Sequence, residues 1–100
     1  MTALRISPEA EADLDDVWLY MARESQSVDR ADHFLDCFST FFLRLAENPY
    51  LGRRRDDLRR AYRSFPVGDY LVIYRVPANE EVLILRIIRG SRDIQSLLVE

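Results

Sequence analysis

Arginine is the residue type in this sequence whose position and spacing could do chemistry. Arg63 begins one predicted β-rich run, Arg86 lies within another, and Arg89 and Arg92 follow it. A guanidinium group stays protonated at physiological pH and presents its N–H donors as a planar fork that fits a carboxylate or a phosphate. The same group is a poor proton shuttle. We therefore predict that these four arginines bind an anionic target and do not catalyse a reaction.

The strands that carry these arginines decide whether the side chains meet. Arg63 and Arg89 belong to the first and third strands of a predicted antiparallel meander, and those two strands run in the same direction. Their convergence on one surface is therefore a hypothesis. Arg75 and Arg86, which interrupt otherwise apolar runs, could equally form surface salt bridges.

Side chains that could transfer protons are scarce. All 14 basic residues are arginine, and the single histidine, His33, lies among aspartates on the polar face of a predicted helix. No tyrosine follows Tyr74. General acid–base catalysis needs a side chain with a suitable pKa within hydrogen-bond reach of the proton. We predict no catalytic residue, and we interpret His33 as solvated.

The cysteine and acidic residues suggest no cofactor. Cys37 is the only cysteine and borders the apolar face of a predicted helix, so we expect a small core residue rather than a disulfide. The sequence around it has no metal-ligand spacing. We therefore predict neither a metal site nor a bound cofactor.

Composition and charge indicate one small globular domain over residues 1–100. The net charge of −3 conceals an acidic half, residues 1–47 at −6, and a basic half, residues 48–100 at +3. A large nucleic-acid surface usually makes a whole domain basic, so we expect no strong direct nucleic-acid binding. The sequence lacks an apolar run of membrane-spanning length and an apolar signal region at its start, so we expect a cytoplasmic protein.

Residues 61–92 predict an antiparallel three-strand meander. Residues 70–76 and 82–88 are rich in β-branched, aromatic and leucine side chains, which favour strands. Both faces of each run are apolar, as expected for strands in the middle of a sheet. Turn-forming residues separate the runs at 66–69 and 77–80.

Residues 3–50 predict a short strand and two amphipathic helices. Residues 3–6 alternate as a strand, and Ser7 and Ser27 are suited to cap the two helices. Asn48 and Pro49 end the second helix, because the residue before proline is pushed out of the α region. The resulting order is β-α-α-β-β-β. We predict an α+β fold in which a helix hairpin packs on a small, mostly antiparallel sheet.

The remaining segments supply candidates for a partner surface. Leu19 and Leu43 fall off the core stripes of the two helices, and Leu97 and Leu98 lie in a short apolar tail, residues 94–99, that could form one helical turn. Residues 50–60 carry mixed charges and predict a self-neutralising, solvated loop, with an anion site as the minor alternative.

Several different short motifs follow one another along the chain, and their order and spacing resemble those of a known family. They are Ser7-Pro8-Glu9-Ala10, Asp13-Leu14, Ala31 with Phe34, Leu45 with Asn48-Pro49, Gly52, Leu58-Arg59, Tyr62-Arg63, Gly68-Asp69-Tyr70, Ile73-Tyr74-Arg75-Val76 and Ile87-Ile88-Arg89-Gly90-Ser91-Arg92-Asp93. Together they resemble the ParE branch of the ParE/RelE toxins of type II toxin–antitoxin pairs. The similarity covers essentially the whole chain, although family members commonly have histidine at the position of Arg89.

The resemblance implies a small toxin that a co-encoded antitoxin holds inactive, with two toxins bridged by an antitoxin dimer. ParE-like members poison DNA gyrase, whereas RelE-like members cleave mRNA on the ribosome. RelE-like nucleases use lysine, histidine or a tyrosine near the C-terminus, none of which this sequence offers in place. The residues therefore favour a non-enzymatic gyrase inhibitor, with a ribosome-dependent endoribonuclease as the alternative. Leu19, Leu43, Leu97 and Leu98 are the candidate antitoxin contacts.

Overall fold

The computed structural model describes residues 3–77 and 81–90, and within them two helices pack against a five-stranded sheet. The predicted α+β fold is confirmed. The elements are β1 (Leu4–Ile6), α1 (Pro8–Ser25), α2 (Val28–Glu47), β2 (Arg53–Arg54), β3 (Tyr62–Val67), β4 (Tyr70–Arg75) and β5 (Val82–Arg89). The predicted tail helix, residues 94–99, lies outside the described residues.

Both helices begin where the capping serines predict. The Ser7 hydroxyl accepts a hydrogen bond from the Ala10 N–H at 3.0 Å, and the Ser27 hydroxyl accepts one from the Arg30 N–H at 3.1 Å. These bonds satisfy backbone donors that the first helical turn leaves unpaired. The second helix ends at Glu47, directly before Asn48 and Pro49.

The strands form one sheet in the order β1-β5-β4-β3-β2. The predicted antiparallel meander is β3, β4 and β5, while β1 joins the edge of the sheet parallel to β5. Strand β4 lies at the centre of the sheet and β5 lies beside it. Their position inside the sheet explains why both faces of each strand are apolar.

The sequence did not predict β2, which lies in the segment expected to be a loop. Arg53 and Arg54 pair with Ser64 and Arg63 of β3. Two residues are too few to show the alternation of a strand, and these two form a strand because their backbone pairs with β3. The expected self-neutralisation is confirmed, since Arg54 lies 2.7 Å from Asp56 and the neighbouring Arg55–Asp57 pair spans 3.1 Å.

The core lies between the helices and one face of the sheet. An aromatic cluster dominates it, with the Phe41 and Phe65 rings stacked at 4.3 Å between α2 and β3. The largest fully buried side chains among the described residues are Tyr74, Phe38, Leu45, Ile73, Ile84, Val72 and Val82, of which Ile73 points to the opposite face of the sheet. The prediction for Cys37 is wrong, because this residue is exposed. It lies just beyond the edge of the α2 apolar stripe, where no second layer covers it.

A β-bulge in β5 anchors the start of α1. Ile73 pairs with Arg86 and Tyr74 pairs with Ile84, so Leu85 has no partner in β4. The Leu85 carbonyl instead accepts a hydrogen bond from the Ser7 hydroxyl at 2.9 Å. One serine therefore caps the helix and ties it to the bulge.

Asp13 makes a second connection between α1 and β5. Its carboxylate accepts hydrogen bonds from Arg86 Nε at 2.8 Å, from Arg86 Nη2 at 3.2 Å and from the Ile87 N–H at 2.8 Å. The Asp13 side chain is 13% exposed, so little water competes for these donors. This one carboxylate joins residues more than 70 positions apart in sequence.

We expect Asp13→Ala to lower the free energy of unfolding by about 1.5–3 kcal/mol, because it leaves a partly buried guanidinium and a backbone donor unpaired. Asp15→Ala is the matched control, since Asp15 is an exposed acid on the same helix, and we expect a change within about 0.5 kcal/mol. Urea denaturation measures both. Equal midpoints for the two variants would show that the Asp13 contacts contribute no net stability.

Candidate functional site

The candidate site is a cleft between α1 and the end of β5, with a volume of about 360 Å³. It brings together Arg86 and Arg89, two of the four arginines predicted to bind a target. The lining residues are Asp13, Asp16, Val17, Tyr20, Tyr70 and residues 86–89. Helix α1 supplies one wall, and strands β4 and β5 supply the other.

Tyr20 holds Arg89 in place within the cleft. Arg89 is the last residue of β5, and its Cζ lies 4.2 Å from the centroid of the Tyr20 ring. Its Nη2 also donates a hydrogen bond to the Tyr20 hydroxyl at 2.8 Å, and this bond raises the pKa of Arg89. Among the described residues this is the hydrogen bond that Arg89 makes, so most of its five N–H donors remain able to bind an anion.

Arg86 has a different role from Arg89. The hydrogen bonds that Arg86 donates to the Asp13 carboxylate raise the pKa of Arg86 and engage the Nε–Nη2 edge of its guanidinium. An anion could bind this edge of Arg86 only by displacing a carboxylate that also holds the Ile87 N–H. Arg86 therefore holds the cleft wall with its charge offset by a carboxylate, whereas the hydrogen-bond partner of Arg89 is neutral.

The tyrosines near the site are poorly suited to proton transfer. Burial raises the pKa of Tyr70 and of Tyr74, so both phenols stay protonated at neutral pH. His33 is exposed on α2 and does not line the cleft. The groups assembled around Arg89 are suited to hold an anion rather than to move protons.

Arg63 lies far from Arg89, so the hypothesis that the two converge is wrong. Arg63 pairs with Tyr74, whereas Arg89 pairs with Tyr70, four residues away along β4. At about 3.3 Å per residue this is roughly 13 Å along the strand. The two side chains therefore lie toward opposite ends of the sheet.

Arg63 instead holds the turn before β2. Its Nη1 donates to the Gly52 carbonyl at 2.8 Å, and its Cζ lies 5.1 Å from the centroid of the Tyr50 ring. The buried Tyr74 hydroxyl accepts a hydrogen bond from the Gly52 N–H at 2.7 Å. A Cβ at Gly52 would lie 2.9 Å from the Ser64 carbonyl oxygen, so this close approach requires glycine.

The remaining predicted residues divide between the helices and the undescribed tail. Leu19 is 44% exposed and Leu43 is 67% exposed, as expected for side chains off the core stripes. Leu43 also lines a second, apolar cleft of about 320 Å³ with Leu4, Ser39, Phe42 and Ala46. Arg92, Leu97 and Leu98 lie outside the described residues.

Sequence reasoning missed Tyr20, although a signal for it exists. Asp13 and Tyr20 are seven residues apart, which places them on the same face of an α-helix. An acid and a tyrosine at this spacing could have been matched to the arginines of one strand, Arg86 and Arg89. The apolar cleft beside Leu43 left no such signal, because it forms only where α2 meets β1.

The described residues hold no group of three or more His, Cys, Asp or Glu side chains that could bind a metal ion. Among them, neither helix is long and apolar enough to cross a membrane.

Comparison with known proteins indicates one family. The family model for the ParE toxin of the type II toxin–antitoxin system parDE matches residues 4–94. The ParE1 toxin of Caulobacter vibrioides is 33% identical over 98 residues, which cover 98% of this chain and 99% of that protein. The ParE3 toxin of the same organism is 38% identical and covers 86% of this chain and 84% of that protein.

A solved structure shows the same fold. A chain from the chromosomal ParDE system of P. aeruginosa matches with a TM-score of 0.75 at 22% identity, covering 89% of this chain and 96% of that chain. The family model spans most of this sequence, and a relative more than 30% identical covers nearly all of it. The chain therefore belongs to the ParE toxin family of type II toxin–antitoxin systems.

Proposed function

We propose that this chain is a toxin that inhibits DNA gyrase without catalysing a reaction, and that a co-encoded antitoxin neutralises it in the cytoplasm. The observation that carries the proposal is the Arg89 cleft. It presents a guanidinium held by Tyr20, close to Tyr70, whose pKa is raised by burial so that its phenol stays protonated. Family membership supports the toxin role, and the arginine chemistry supports binding over cleavage.

Arg89 is suited to recognise a carboxylate or a phosphate of the target. The Tyr20 ring and hydroxyl restrict the guanidinium to one place, so less side-chain entropy is lost when an anion binds. A charge-assisted hydrogen bond contributes about 1.5–3 kcal/mol, which corresponds to roughly 10- to 150-fold in affinity. A contact of this strength can decide whether a small inhibitor holds its target.

The antitoxin surface that we propose lies on the outer side of the helix hairpin. Leu43 is the most exposed of the large apolar side chains among the described residues, and it borders the apolar cleft between α2 and β1. Leu19 adds a second exposed side chain on α1. A partly disordered antitoxin segment could fold onto such a surface, and a dimeric antitoxin would then bridge two toxins.

The first test of function is the mode of toxicity. Expression of the chain without its antitoxin should arrest division, produce filaments and induce the DNA-damage response, while bulk mRNA stays intact. Purified protein should inhibit supercoiling by gyrase. New cuts inside translated codons soon after induction, mapped by primer extension, would contradict gyrase inhibition and favour a ribosome-dependent nuclease.

The second test separates Arg89 from general charge. We expect Arg89→Ala to weaken gyrase inhibition about 10- to 150-fold, and Arg89→Lys to lose most of the same activity, because a lysine cannot reproduce a stacked, forked contact. Arg30→Ala is the control, since it removes an exposed arginine from α2 with the same change in net charge. Equal inhibition by Arg89→Ala and Arg30→Ala would remove the cleft from the mechanism.

The third test concerns the antitoxin surface. We expect Leu43→Asp to weaken antitoxin binding at least about fivefold, because it places a charge in an apolar contact, with little change in stability since the side chain is exposed. Val28→Asp is the control, because Val28 is 57% exposed at the start of the same helix and does not line the apolar cleft. Calorimetric titration with the co-encoded antitoxin measures both, and unchanged binding by Leu43→Asp would move the interface elsewhere.

A further inference from the structure

The charges of this protein are separated by structural layer. The two helices carry ten acids and three arginines, a balance of −7. The five described strands carry no acid, and their seven arginines give +7; these are Arg5, Arg53, Arg54, Arg63, Arg75, Arg86 and Arg89. The net charge of −3 therefore hides an acidic helix layer on a basic sheet layer.

Three of the strand arginines lie on the sheet face that points away from the helices. Tyr74 packs in the core under the helices, so its neighbours Ile73 and Arg75 point to the opposite face. Leu83 of β5 pairs with Arg5 of β1 on one side and with Arg75 of β4 on the other. Because paired residues share a face, Arg5 lies on the same face as Arg75. The rest of the register places Arg53 there too, because it pairs with Ser64, which in turn pairs with Ile73. We call Arg5, Arg53 and Arg75 the outer-face arginines.

The outer-face arginines are available for binding. All three residues are exposed, and the Arg5 side chain is 74% exposed. Arg5 and Arg75 line one cleft of about 170 Å³. Glu81 lies in this cleft, 3.5 Å from Arg5, and a stronger anion could replace it as the partner of Arg5. Surface arginines of this kind contribute little to folding, so stability does not account for them.

Their spacing is regular. Arg5 on β1 lies two strands from Arg75 on β4, which in turn lies two strands from Arg53 on β2. Neighbouring strands lie about 4.8 Å apart. The three Cα positions therefore follow one another at roughly 10–12 Å across the sheet. Long side chains at this spacing can contact successive phosphates along a nucleic-acid backbone, to which guanidinium groups bind as a fork.

The exposed charged residues of the outer face resemble a nucleic-acid surface more than a protein interface, although Ile73 on the same face is buried. Protein interfaces depend on buried apolar and aromatic anchors. The large apolar side chains exposed among the described residues are Leu19, Val28, Leu43 and Tyr50, and none belongs to a strand. Protein–DNA interfaces are instead polar and positively charged. An acidic protein partner would find charge on this face, but the apolar residues in the cleft of Arg5 and Arg75, Pro77 and Leu83, are only partly exposed.

We propose that the outer-face arginines bind the phosphate backbone of a nucleic acid, with the acidic helix layer turned away from it. The binding is weak and independent of base sequence, because a molecule with a net charge of −3 is repelled unless its sheet faces the phosphates. This surface is distinct from the Arg89 cleft. It lets the protein contact DNA while another of its surfaces contacts a DNA-bound protein.

The test is fluorescence anisotropy with the full chain and a labelled duplex of about 20 base pairs, titrated between low and physiological salt. We expect dissociation constants of roughly 10⁻⁴–10⁻⁶ M near physiological salt. The triple variant Arg5→Ala, Arg53→Ala, Arg75→Ala should bind at least tenfold more weakly. The slope of log affinity against log salt should fall in magnitude by about 0.9 for each lost phosphate contact.

The helix layer offers a control matched in number and charge. Arg23, Arg30 and Arg44 are all exposed, so their triple Ala variant has the same net charge as the outer-face variant. We expect it to bind DNA like the unmodified chain. Equal weakening by both triple variants would overturn the proposal, because net charge alone would then explain binding. No binding by the unmodified chain would overturn it as well.

Two further measurements complete the test. If the outer-face triple variant fails to fold, the single changes Arg75→Ala and Arg44→Ala make the same comparison, and only the first should lower the salt slope. A parallel titration with single-stranded RNA of equal length shows whether RNA or duplex DNA is the preferred ligand, because the preferred ligand has the lower dissociation constant. No gyrase is present, so the outcome is independent of the proposed target.

Discussion

The contact between Asp13 and strand β5 is the interaction on which the candidate site depends. One carboxylate binds the Arg86 guanidinium and the Ile87 N–H, and so fixes α1 against the sheet. Two turns further along the same helix face, Tyr20 then meets Arg89 at the end of the same strand. Packing of apolar side chains has little directionality, so this contact, together with the Ser7 anchor at the start of the helix, sets the position of α1 along β5.

The strand arginines are alike in chemistry but differ in role because of where the strands place them. Arg86 is bound by a carboxylate, and Arg63 is bound by the carbonyl of a turn that must approach the sheet closely. Arg89 contacts a tyrosine, which orients its guanidinium without neutralising its charge. A cation held by a neutral partner stays available to an anion, whereas a cation held closely by a mostly buried carboxylate, as Arg86 is by Asp13, is much less available.

The separation of charge between the layers gives the protein two electrostatic sides. Acids concentrate on the helices because each helix has a solvated face, and arginines concentrate on strands that are otherwise apolar. The exposed leucines lie on the acidic side, where an antitoxin is proposed to bind. A toxin with this arrangement could contact an antitoxin and an anionic target through different layers, and the field of each layer would orient it toward the matching partner.

The sequence by itself determined the two helices, four of the five described strands and the broad fold. Ser7, Ser27 and Pro49 mark helix ends through local hydrogen bonding and sterics, and the apolar runs of β4 and β5 indicate central strands. Only the tertiary structure decided which partner each arginine has. The bulge at Leu85, the Asp13 contact and the distance between Arg63 and Arg89 depend on register between distant strands. Local patterns set which face a side chain occupies, but pairing across the sheet sets its neighbours, and chemistry depends on neighbours.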